Sequence, residues 1–113
     1  MILRGDIIIS KEKIEYYLLK PMMFSNKWIM FSDLGYTISD ANRLIEDIRN
    51  QVLTQHTTVY EQNVYGVFYQ ISSHFTGINN KTIEVDSIWL HEKKSMKTKF
   101  ITIYIKNKTK FHS

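Results

Sequence analysis

The sequence contains no cysteine and only one proline, and both features narrow what the chain can be. Without cysteine there is no disulfide framework, no Cys-ligated zinc site and no thiol nucleophile. No apolar run approaches the ~20 residues of a membrane span, so we expect no membrane partner. The N-terminal "MILRGDIIIS" is interrupted by Arg4 and Asp6, which is unlike the apolar region of a signal peptide.

The length of the chain predicts one domain over residues 1–113, with one hydrophobic core. Hydrophobic residues make up 43%, which is typical of a folded protein rather than a disordered one. The aromatic share of 13% suits either a tightly filled core or a surface that stacks on flat ligands.

Positive charge is concentrated near the C-terminus. Residues 93–113 hold seven lysines and no acidic residue, whereas the chain as a whole has a net charge of +4. This asymmetry predicts an anionic partner, with nucleic acid as the first candidate. A solubilising tail explains the same charges, and composition alone does not separate the two interpretations.

The first half of the chain has the 3.6-residue apolar period of helices. Ser10 is placed to cap a first helix that Pro21 stops. A second helix, capped by Ser25, ends at Gly35. The "TISD" of residues 37–40 resembles a capping box and opens a third helix.

After about residue 55 the apolar period changes from 3.6 to 2, which indicates strands. The strands are predicted at 64–75 "VYGVFYQISSHF", 82–91 "TIEVDSIWLH" and 99–106 "KFITIYIK". The apolar phase slips within the second of them. A β-bulge at Asp86–Ser87 would restore it.

These elements predict an α+β fold, with about three N-terminal helices packed on one face of a small antiparallel β-meander. "DIIIS" (6–10) is expected to be an edge strand or an extended entry. The second face of the sheet would be open. On that open face we expect Gln70, His74, Ser87, Trp89, Thr102, Tyr104 and Lys106.

Several segments together resemble a family of small, mostly uncharacterised bacterial domains. Members stand alone in toxin–antitoxin-like gene pairs or form the C-terminal tips of polymorphic and contact-dependent inhibition toxins. The resemblance is carried by Tyr17-Leu18-Leu19 before Pro21, Lys27, Phe31, Leu34-Gly35-Tyr36, Tyr65-Gly66, Ile88-Trp89-Leu90, and Lys99 to Ile105. The chain departs from the family pattern at Ser25-Asn26 (usually Gly), Asp86 (usually basic), Lys99 (usually Arg) and Ile105 (usually Pro).

The layout is also similar to the ribonuclease toxin superfamily of barnase, EndoU, the tRNase colicins and the RelE toxins. That resemblance implies a metal-independent endoribonuclease with RNA on the open face of the sheet. It further implies action in the cytoplasm, delivery within a larger secreted toxin for some members, and a small acidic antitoxin or immunity protein as partner. The alternative is a non-catalytic nucleic-acid- or protein-binding module of a toxin–antitoxin-like system.

Candidate site residues follow from this combination of pattern and resemblance. Thr102 and Tyr104 are one strand period apart, ~6.6 Å, so both hydroxyls could donate to one phosphate. Ordinary strand propensity explains the same pair. The resemblance implies catalytic roles for Lys27, Lys99, Thr102 and Tyr104. His74 is added as a possible acid or base because it is expected on the same face and imidazole titrates near neutrality. Candidates for RNA contacts are Trp89, Lys97, Lys106 and Lys108. The histidines and carboxylates lack metal-ligand spacing, so we expect no metal and no cofactor.

Overall fold

The computed structural model describes residues 2–3, 5–20 and 27–106. Short helices follow a two-residue strand, and four longer strands come after them in the described residues. The elements are β1 (Ile7–Ile8), α1 (Lys11–Lys13) continued by a π-helical turn (Ile14–Leu19), α2 (Lys27–Asp33), a 3₁₀ turn (Ile38–Asp40), α3 (Ala41–Gln51), β2 (Thr57–Asn63), β3 (Gly66–Thr76), β4 (Thr82–Glu92) and β5 (Thr98–Ile105). None of the helices in these ranges is long and apolar enough to cross a bilayer.

The helix ends are set by local chemistry that the sequence makes visible. The Ser10 side chain accepts a hydrogen bond from the Lys13 amide, which confirms Ser10 as the N-cap of α1. Thr37 and Asp40 form a capping box at the 3₁₀ turn that leads into α3. Gly35 follows α2 with φ of +94°, a conformation that costs glycine little. The expected Pro21 stop and Ser25 cap lie outside the described residues.

The five strands form one sheet in the order β1-β5-β4-β3-β2. The α+β class is confirmed, but the prediction of a purely antiparallel sheet is wrong because β1 pairs parallel to β5. The helices are also not all N-terminal, since they lie between β1 and β2. A parallel neighbour needs a long crossover. Here the helical segment connects β1, at one edge of the sheet, to β2, at the opposite edge.

The β3–β4 ladder runs without a break from the Gly66–Glu92 pair to the Thr76–Thr82 pair. The predicted bulge at Asp86–Ser87 is therefore wrong. The irregularity lies in the neighbouring strand, where Trp89 pairs with Phe100 but Ile88 pairs with Thr102. The extra residue in β5 turns Phe100 toward the core and leaves Thr102 on the opposite face.

The core face of the sheet packs against the helices. Ile71, Ser87 and Ile103 lie side by side on three strands, and all three are buried. Ser87 and Trp89 therefore do not lie on the open face, contrary to expectation. Trp89 packs at 5.3 Å from the Phe100 ring centre and donates its indole N–H to Ser87 Oγ at 2.8 Å.

The third helix, α3, buries the apolar stripe of its sequence against the sheet. Leu44, Ile48 and Val52 are fully buried, as the period of the sequence predicts. Phe31 and Phe75 meet edge to face at 6.3 Å, which joins α2 to β3. The helices thus pack on one face of the sheet.

Candidate functional site

Thr102 and Tyr104 lie on the open face of the sheet, where they pair with Ile88 and Asp86 of β4. Alternation about the buried Ile103 places them there, and the bulge before Thr102 turns Phe100 to the core face instead. Thr102 Oγ1 lies 3.0 Å from the hydroxyl of Tyr17, which belongs to the π-helical turn. Two hydroxyls separated by 85 residues of sequence are thus in hydrogen-bond contact.

Tyr17 reaches Thr102 because β1 covers only a short part of β5. The parallel pairing involves Thr98 and Lys99 alone. Beyond them, the π-helical turn brings Tyr17 beside the strand. Tyr17 is half-buried, so a partner for its phenol hydroxyl is expected.

Lys27 begins α2 and completes this arrangement. Its ammonium lies 5.8 Å from the ring centre of Tyr17 and 5.7 Å from that of Tyr104. Both distances are within the range of cation–π attraction. The first residue of α2, the π-helical turn and the last strand therefore converge on one spot.

A second lysine, Lys13, also contacts the ring of Tyr17. Its ammonium is 5.4 Å from the Tyr17 ring centre and 5.7 Å from that of Phe100. Burial lowers the pKa of Lys13, and Tyr17 acts in the opposite direction to a smaller extent. We call Lys13, Tyr17, Lys27, Thr102 and Tyr104 the tyrosine–lysine cluster.

A carboxylate lies next to this cluster. Asp86 is buried, pairs with Tyr104 across the strands, and accepts a hydrogen bond from Ser72 Oγ. Burial raises the pKa of Tyr104, with further contributions from Asp86 and Tyr60. A phenol of ordinary pKa is protonated at neutral pH and the shift keeps it so, which leaves the Tyr104 hydroxyl able to donate a hydrogen bond.

Two other predicted catalytic residues are in contact with glutamates and not with the cluster residues named above. His74 is on β3, two strands from β5, and its Nε2 is 3.1 Å from Glu84. Lys99 Nζ is 3.2 Å from Glu92. The Ser95 hydroxyl and then Lys99 lower the pKa of Glu92. The structure brings Lys27, Thr102 and Tyr104 together but not His74 or Lys99.

The four residues predicted to contact RNA lie in different environments. Lys97 is exposed in the turn between β4 and β5, and Lys106 is half-buried after β5. Trp89 is fully buried in the core, so its ring is not available for a base. Lys108 lies outside the described residues.

Sequence reasoning missed Lys13 and Tyr17 as site residues. The apolar stripe places Tyr17 beside Ile14 and Leu18 in the core, which describes its ring but not its hydroxyl. Lys13 precedes Tyr17 by four residues, a spacing that makes the two side chains neighbours on a helix. That spacing was the available signal for Lys13.

Within the described ranges, no group of three or more His, Asp or Glu side chains could hold a metal ion. The cluster itself offers ammonium groups and hydroxyls, which are donors. Donors of this kind suit an anionic oxygen ligand such as a phosphate.

Comparison with known proteins places the chain in a family. Residues 4–107 match the domain of unknown function DUF6883. The chain belongs to the DUF6883 family. No curated protein and no solved structure matches it. The DUF6883 match spans every element described here and assigns no activity to them, so toxin and ribonuclease functions are proposals.

Proposed function

We propose that this DUF6883 domain is a metal-independent endoribonuclease of the toxin type, which cleaves RNA at the tyrosine–lysine cluster. One observation carries the proposal. Lys27 and the Thr102–Tyr104 pair are about 75 residues apart in the sequence, and they converge within one cluster. Tyr17 joins them through Thr102.

The reaction would be an internal transesterification. The ribose 2′-oxygen forms a bond to phosphorus and loses its proton to a base, while the bond from phosphorus to the 5′-oxygen breaks and that oxygen takes up a proton. Negative charge grows on the phosphoryl oxygens between these steps. Donors fixed around those oxygens lower the barrier.

The cluster offers groups for each of these needs. Lys27 and the Thr102 hydroxyl would contact the phosphoryl oxygens. Tyr104, held in its protonated form, would donate to the leaving oxygen. Lys13, whose pKa is lowered by burial, would act as the base and accept the proton of the 2′-hydroxyl.

The site of action in this proposal is the cytoplasm, where RNA is available. A small acidic antitoxin or immunity protein would then block the open face in the producing cell. Its carboxylates would complement Lys13 and Lys27.

A non-catalytic RNA- or protein-binding module is the second candidate, and one observation favours it. Two of the five predicted catalytic residues, His74 and Lys99, contact glutamate carboxylates, and the buried Asp86 lies beside Tyr104. These carboxylates reduce the positive potential that RNA cleavage needs.

The test is purified protein incubated with RNA in EDTA. Wild type should cleave, and Tyr104→Phe should lower the rate by about 100-fold or more, the usual effect of losing a positioned proton donor. Tyr65→Phe is the matched control, because Tyr65 is exposed in the β2–β3 turn. Lys27→Met is compared with Lys81→Met, an exposed lysine of the β3–β4 turn.

Equal RNA cleavage rates for Tyr104→Phe and Tyr65→Phe would show that the cluster takes no part in the reaction. Intact RNA with wild type would refute the enzyme. In that case filter binding over a range of salt concentrations would decide for the binding module, whose RNA affinity falls steeply as salt increases.

A further inference from the structure

The edge of the sheet opposite β1 is formed by β2, and it is open. Among the residues that the structure describes, β3 is the only strand beside β2. Every residue of β2 after Thr57 is exposed. A strand edge of this kind presents backbone amides and carbonyls that a further strand can pair with.

Large apolar side chains are exposed along the same edge. Val59 is 63% exposed and Tyr60 55%, and at the adjoining turn Val64 is 81% and Tyr65 67% exposed. Together these side chains present on the order of 500 Å² of surface, so two such edges would cover at most about 1,000 Å². That area lies at the weak end of specific interfaces.

The edge also lacks most of the features that keep strands apart. Residues 50–80 contain no lysine, arginine or proline, and Glu61 is their only charged residue apart from histidines. Natural edge strands are usually guarded by lysine, proline or a bulge. Only the bulge is present here, between Val59 and Glu61.

The low charge and the apolar side chains of the β2 edge indicate what kind of partner would pair with it. A nearly neutral edge offers little to a strongly charged protein. A second identical edge is complementary by symmetry, since antiparallel pairing about a two-fold axis matches each donor with an acceptor. One Glu61 per copy is a small charge to accommodate.

We propose that two copies of this chain pair antiparallel through the outer edges of their β2 strands and so join their sheets. The joined sheet would have ten strands from the described elements. Thr102 and Tyr104 of the tyrosine–lysine cluster are on β5, three strands in from this edge, although Tyr60 of the edge is within electrostatic reach of Tyr104. The inference rests on the edge residues and not on the proposed ribonuclease activity.

The experiment is sedimentation velocity on the full chain from about 5 to 500 μM, the range expected for a weak interface. Wild type should shift from the 13.5 kDa species toward twice that mass as its concentration rises. Val59→Lys should weaken the association at least about tenfold, because it places a lysine on each facing edge. Ile38→Lys adds the same charge at an exposed position of the 3₁₀ turn and should leave association unchanged.

Amide hydrogen exchange identifies the surface. In wild type, exchange within 58–62 should slow as concentration rises, and in Val59→Lys it should not. A wild-type chain that stays at 13.5 kDa at the highest concentration refutes the proposal. So does a dimer that survives Val59→Lys or is lost with Ile38→Lys. RNA cleavage by the monomeric Val59→Lys variant should equal that of wild type, so a failed dimer and a failed enzyme give different results.

Discussion

The replacement Tyr36→Phe tests the most deeply buried polar contact between the loop after α2 and helix α3. Tyr36 is buried against Phe31 and Phe75, and its hydroxyl donates to Asp47 Oδ2 at 2.5 Å. Arg43 Nε donates to both oxygens of the same carboxylate, at 3.1 and 3.0 Å. The replacement removes one donor and keeps the ring.

We expect Tyr36→Phe to lower the free energy of unfolding by about 2 kcal/mol, the usual contribution of a hydrogen bond to a charged group. Asp47 keeps Arg43 as a partner, so the larger cost of an isolated buried charge does not arise. Urea unfolding at pH 7, followed by circular dichroism, measures the difference. Tyr65→Phe is the control and should change the free energy by less than about 0.5 kcal/mol, since its side chain is exposed.

The contribution of Tyr36 to the free energy of unfolding also depends on pH and should decrease at high pH. Burial raises the pKa of Tyr36 well above its usual value of 10, with hydrogen bonding to Asp47 as the second cause. The folded state therefore holds a proton that the unfolded state releases above about pH 10. The difference between wild type and Tyr36→Phe should be complete at pH 7 and should shrink as the pH rises beyond 10. A difference below about 0.5 kcal/mol at pH 7, or one that does not shrink at high pH, would refute this reasoning.

Two further predictions concern backbone contact and burial. Gly66→Ala should lower the free energy of unfolding by about 3 kcal/mol or more, because its Cβ would lie 2.1 Å from the His91 carbonyl oxygen at a φ of +146°. Gly5→Ala has a φ of +86° but no atom within 4 Å, so it should cost about 1 kcal/mol, and equal melting temperatures for the two variants would contradict the contact. In a Trp28→Phe variant, Trp89 is the remaining tryptophan, and its burial predicts weak quenching by acrylamide or RNA. Strong quenching in the folded protein would contradict its position in the core.

The sequence predicts the helical half of the fold because the signals there are local. Ser10, the Thr37–Asp40 box and the stripe of α3 act within a few residues of one another. By contrast, β1 is two residues long and pairs parallel to a strand about 90 residues later. No local pattern encodes such a pairing.

The apolar phase of β4 was misread for a physical reason. Ile88 and Leu90 suggest that the apolar alternation slips in β4 when apolar residues are expected on the core face alone. Both are buried on the open face, at the centre of the sheet and between neighbouring strands. Burial of both faces of a central strand removes the alternation from which a register is read. The true bulge lies in β5 at Ile101, where the consecutive apolar residues Phe100 and Ile101 hide it.

The candidate site can be predicted from the sequence only in part, for a related reason. Thr102 and Tyr104 share a face by simple alternation after the bulge, so sequence alone could pair them. Their contact with Tyr17 depends on how far β1 extends along β5. That length is set by tertiary packing and not by any residue near Thr102 or Tyr104.

The basic C-terminal region and the candidate site are separate features of the molecule. The excess of lysine after residue 92 first suggested an anionic partner. Yet the lysines at the tyrosine–lysine cluster, Lys13 and Lys27, come from the first quarter of the chain, where they meet aromatic rings. Lys99, from the basic region, is in an ion pair with Glu92. Loss of RNA affinity on replacing C-terminal lysines would therefore report electrostatic attraction. Chemistry at the phosphate would instead respond to Lys27, Thr102 and Tyr104.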